Sequence, residues 1–138
     1  MPHSEPVNWQ PITLMPLIAN MIAGALTDSR DKLGTLTQAR ARPHVLDDAT
    51  IDRVDRVYGE QLEFVDIYTQ QIRRWRSESP SADHIGELDR MEKQNQELRA
   101  VTAEVLALAR ELRKGTIDRI MGMSDLELGL QAVLGKSL

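Results

Sequence analysis

The chain has 138 residues, 41% of them apolar and 28% charged, with a formal net charge of −4 and no cysteine. That length suits one core, and the acidic balance gives no overall attraction to phosphate backbones or anionic membranes. The lack of cysteine excludes disulfides, thiolate catalysis and cysteine-ligated zinc, and it matches a reducing, cytoplasmic setting.

Residues 1–12 contain Pro2, Pro6 and Pro11 and read as an extended arm with Trp9 as its large apolar anchor. The remainder, 13–138, reads as a single helical domain. No Lys or Arg precedes the apolar run that follows the arm, and Pro11, Pro16, Asn8, Gln10, Thr13 and Asn20 interrupt it. A buried core helix therefore explains residues 6–27 better than a signal peptide or a membrane span. Thr13 is the expected N-cap of a first helix over about 14–40, with Ile12 and Leu17 as a hydrophobic staple and Pro43 as its stop.

Asp47 opens a second helix over 48–76, which closes with Arg73, Arg74 and Arg76 at the negative end of its dipole. Ser79-Pro80 reads as a cap followed by the first residue of a third helix over 80–114, with Gly115 as its C-cap. Ser124 and Glu127 form a capping box, with Met123 and Leu128 as its staple, ahead of a short helical hook over 125–134.

A seven-residue rhythm ties these segments together. It falls on Ile51, Val54, Tyr58, Gln61, Val65, Tyr68, Ile72 and Trp75, and again on Leu88, Met91, Asn95, Leu98, Thr102, Val105, Ala109 and Leu112. Alternating steps of three and four put each set on one stripe of a helix. If the second and third helices run antiparallel, Tyr68 with Leu88, Gln61 with Asn95 and Ile51 with Val105 make a constant-sum series of facing pairs. The first and second helices match likewise through Leu36 with Ile51, Ser29 with Tyr58 and Ile22 with Val65. The expected fold is all-α: an antiparallel, up-down-up, coiled-coil-like three-helix bundle with a short C-terminal hook. Gln61 and Asn95 would form a buried polar layer that pins the register, or a small polar ligand site.

The residue types exclude more chemistry than they offer. None of the three histidines, His3, His44 and His84, has Glu three residues before it, so a di-metal carboxylate site is not encoded. There is no phosphate loop and no nucleophile elbow, so no catalytic residue, metal ligand or cofactor is assigned. Residues 51–56 and 87–90 resemble the opening helix of small helical mutases acting on anionic substrates. The likeness spans a few amphipathic residues and carries no site.

Two surface features stand out. Arg73, Arg74, Trp75 and Arg76 form a candidate basic patch for an acidic partner or nucleic acid, although the net acidity argues against the latter. Leu17 and Met21 on the first helix, with Phe64 and Ile67 on the second, form a candidate interface. The hook, at most about 28 Å long as helix, would cover Val101, Leu106 and Leu108 and not reach that level. The arm, a second copy or another protein would have to cover it.

These features make a non-enzymatic interaction or assembly protein, pairing with itself as a homodimer or with another protein, the expected function. A nucleic-acid-associated regulator using the arginine patch and a small helical enzyme are the alternatives. No membrane association is expected.

Overall fold

The computed structural model describes residues 8–42 and 46–121. After a 3₁₀ turn at Ile12–Leu14 come α1 (Met15–Arg40), α2 (Asp48–Arg76) and α3 (Ala82–Met121), which pack as an all-helical three-helix bundle. The expected hook, its capping box and Pro43 lie outside the described residues.

Local chemistry explains each start. Leu14 N–H donates to the Pro11 carbonyl at 2.9 Å, so Thr13 is already inside a turn and makes no side-chain cap, contrary to expectation. Pro16 in the first turn of α1 reduces the need for one, since it has no N–H to satisfy. Ile12 packs on the core, whereas its expected staple partner Leu17 is exposed. Asp47 does cap α2: its backbone is extended, and its Oδ1 accepts from Thr50 N–H at 2.8 Å.

The α2–α3 connection departs from expectation. Ser79 has φ 53°, in the left-handed region, and so does not take the extended geometry of an N-cap. Ser81 does that work two residues later, its hydroxyl accepting from His84 N–H at 3.2 Å. At the other end α3 continues through Gly115 to Met121. A glycine inside a helix costs only about 1 kcal/mol, too little by itself to end one that is otherwise held by packing.

The stripes face inward, but α2 and α3 meet one heptad away from the expected register. Gln61 Nε2 lies 2.8 Å from Thr102 Oγ1, and Asn95 Nδ2 lies 3.0 Å from Thr69 Oγ1. Surface ion pairs follow the same offset: Asp66 with Arg99, Asp55 with Arg110, Asp52 with Arg113, and Arg76 with Asp89. The offset sets Trp75 against Leu88, Tyr58 against Val105 and Ile51 against Leu112, and the first turn of α3 then overhangs the end of α2. Trp75 and Leu88 are fully buried in one cluster, and Ile85 on the overhang is exposed.

The core divides in two. One cluster holds Met15, Ile22, Leu26, Val65, Ile72, Trp75, Leu88 and Met91, and the other holds Leu36, Ile51, Val54, Val105, Ala109 and Leu112. Ser29, Gln61 and Thr102 form a polar layer at the boundary, one residue from each helix. Both α1 and α2 pack most closely on α3, and much less closely on each other. Val101, Leu106 and Leu108, expected to await the hook, are buried in clusters that also include Leu33 of α1.

Candidate functional site

The loose contact between α1 and α2 leaves a groove of about 230 Å³ lined by Ala25, Val57, Glu60, Gln61, Phe64, Tyr68 and Leu98. Leu98 belongs to α3, so the groove reaches through the seam to the third helix. Around it Leu17 is 55% exposed, Met21 45%, Val57 45% and Phe64 52%. Ile67, placed with them by the sequence, is half-buried. The Phe64 and Tyr68 rings are tilted at 32° with centroids 6.4 Å apart, so Phe64 rests on an aromatic whose other surroundings are core. Burial pushes the Tyr68 hydroxyl above the ordinary tyrosine value.

The α1 side of this face has an unusual composition. From Met15 to Thr27 there is no charged residue, and the first is Asp28. Val57 was not singled out from the sequence, yet it lies one heptad before Phe64 and so on the same face of α2; that spacing was the available signal.

The described part of the arm is held at the end of α2 rather than over this face. Gln10 N–H donates to Gln71 Oε1 at 2.8 Å, and the Gln10 carbonyl accepts from Trp75 Nε1 at 2.9 Å. Trp9 lies under the Arg74 guanidinium, 5.3 Å from its ring centroid. These contacts tie residues 9 and 10 to the last turns of α2, while Leu17, Met21 and Phe64 remain exposed.

The same contacts dismantle the basic patch. Trp75 is 0% exposed and belongs to the core, so it cannot present itself to a partner. Arg76 pairs with Asp89 at 2.8 Å and Glu92 at 3.2 Å, and Arg74 stacks on Trp9. The Arg73 side chain, alone of the four, makes no hydrogen bond, ion pair or ring contact among the described residues, although its carbonyl accepts from Ser77 N–H. The expected Gln61–Asn95 layer is also corrected. The heptad offset moves Asn95 two turns from Gln61, about 10 Å along the axis, and each has separate partners. Burial raises the Tyr58 hydroxyl above the ordinary tyrosine value.

Among the described residues no group of three or more His, Asp or Glu side chains is placed to hold a metal ion. The stretch Ile12–Arg40 is long and apolar enough by length and composition to cross a membrane; its inward stripe of Met15, Ile22, Leu26 and Leu36 is buried in the bundle, and 28% of its most apolar window is buried in all. Comparison with protein-family models, curated proteins and solved structures finds no match to this chain.

Proposed function

We propose that the protein is a non-enzymatic assembly module that pairs with a second copy of itself through the open α1–α2 face. The observation that supports this most is the exposure of Leu17, Met21, Val57 and Phe64 while Gln10 of the arm is tied to the end of α2. Large apolar side chains clustered around a groove lose free energy in water, by about 25 cal/mol per Å² of apolar surface left uncovered. A stable interface of about 800 Å² per partner would cover this face.

A second copy suits it because the exposed side of α1 carries no charge before Asp28. Two such α1 surfaces can meet about a two-fold axis without like-charge repulsion, with each Phe64 against the partner's face and Glu60 of α2 left at the rim of the groove. Absence of cysteine accords with assembly in the cytoplasm.

Light scattering on the full chain at high micromolar concentration tests the reading. A dimer that Phe64→Glu converts into a folded monomer, with unchanged helical circular dichroism, is the expected result. A monomeric unmodified protein overturns it.

A further inference from the structure

We propose that two copies of the chain pair with their α1 helices antiparallel, Leu17 of each copy seated over Gly24 of the other and the two Met21 side chains flanking the two-fold axis. This geometry rests on self-association through the open α1–α2 face, and it names the contacts that set the direction of pairing.

Gly24 has no steric reason within one protomer. It lies exposed in the interior of α1, where glycine is less favourable than alanine, and its φ is not positive. A methyl group built on it meets nothing within 4 Å. Gly34 is equally open, but its neighbours one turn away are Arg30, Asp31, Thr37 and Gln38. Gly24 has a different setting. Steps of four, three and four place Leu17, Met21, Gly24 and Asp28 on one strip of α1, with Leu17 and Met21 exposed. A bare stretch of helix backbone beside large exposed apolar side chains is a seat for the same kind of side chain from another copy.

Charge decides which way the second copy runs. Parallel pairing of α1 with α1 would set each residue against itself and bring Asp28 and Asp31, both exposed, onto their own copies. Antiparallel pairing about an axis midway between Leu17 and Gly24 avoids this. It puts Asp28 opposite Thr13 and leaves Arg30, Asp31 and Lys32 beyond the start of the partner's helical turns, while the uncharged stretch from Met15 to Thr27 covers itself. A slide of one turn toward the C-terminus would set Leu17 against Asp28, so the same charges also limit the register.

The chain has no cysteine, so single introduced thiols report this geometry through disulfide formation, which needs Cα atoms within about 7 Å. On mild oxidation Met21→Cys should give a covalent dimer, as should Leu17→Cys mixed with Gly24→Cys. Asp28→Cys should not, because its two copies lie about 22 Å apart along the helices. Gly24→Leu, which fills the seat, should raise the dimer dissociation constant about tenfold or more with helical circular dichroism unchanged, whereas Gly34→Ala should leave it as it is. A dimer in which Met21→Cys stays unlinked, in which Asp28→Cys links, or which Gly24→Leu does not weaken overturns the antiparallel pairing and leaves self-association standing. A chain that light scattering finds monomeric removes both.

Discussion

The Gln61 amide nitrogen lies 2.8 Å from Thr102 Oγ1, and this pair fixes which heptad of α3 faces which heptad of α2. The same nitrogen donates to Ser29 Oγ at 2.8 Å, so one side chain bridges all three helices. Both hydroxyls have already given their protons to helix carbonyls, Ser29 to Ala25 and Thr102 to Leu98, and can only accept. Gln61 supplies two hydrogens to two such acceptors. Replacing Gln61 by Leu should cost about 1–3 kcal/mol, because Ser29 and Thr102 are buried and lose their donor. In urea titrations Gln61→Leu and Thr102→Val should show a coupling of about 0.5 kcal/mol or more, while Gln61→Leu and Asn95→Leu should be additive. The opposite pattern would restore the register in which Gln61 meets Asn95.

Anchoring of the arm rests on Gln71 and Trp75 rather than on the apolar face. Gln71→Ala removes the acceptor for Gln10 N–H, and Trp75→Phe removes the donor to its carbonyl. Each hydrogen bond contributes about 1 kcal/mol net, so amide exchange at Gln10 should accelerate roughly fivefold in Gln71→Ala. The α2 and α3 amides of the core should change far less. Trp75→Ala, by contrast, should destabilise the whole bundle by about 3–5 kcal/mol, because it empties a fully buried site.

Stability should fall at both ends of the pH scale for different reasons. The hydrogen bonds from Thr50 hold the Asp47 carboxyl below its ordinary value, so its contribution is present above about pH 4 and is lost as pH falls through the folded-state value. Asp47→Asn keeps a capping oxygen without the titration and should flatten the acid limb of a thermal-melting profile. Burial raises Tyr58 and Tyr68, so their contribution is intact below about pH 10 and disappears as pH rises through the folded-state values. Tyr68→Phe should move alkaline unfolding to higher pH, and an unchanged profile would show that Tyr68 ionises without penalty.

Two backbone positions should accept stabilising changes. Gly34 sits in the interior of α1, and a methyl group built there meets nothing within 4 Å. Gly34→Ala should raise stability by about 0.5–1 kcal/mol in denaturant titrations. Ser79 holds φ 53°, where glycine has no steric penalty, so Ser79→Gly should be neutral or stabilising although glycine loses more entropy on folding. A loss above about 1 kcal/mol in either variant would contradict the local geometry.

Much of the architecture was legible along the chain. The stripe from Ile51 to Trp75 and its counterpart from Leu88 to Leu112 identified α2 and α3 and their inward faces, because a three-four spacing has only one helical solution. Asp47 announced its own helix, since a carboxylate beside free N–H groups satisfies a local demand. Leu17, Met21 and Phe64 could be placed outside the stripes for the same reason. Which heptads meet was not legible: apolar stripes match nearly as well after a slide of one repeat, and nothing local in the chain separates the expected Gln61–Asn95 pairing from the observed Gln61–Thr102 one. The tertiary structure decided it through contacts between helices. Ser29, Gln61 and Thr102 satisfy one another, cross-helix carboxylates and arginines pair along the α2–α3 seam, and the turn at Ser79 delays α3 until Ser81 can cap it. Those same contacts left Asn95 with an unanswered oxygen, because side chains far apart in sequence compete for a limited set of buried partners.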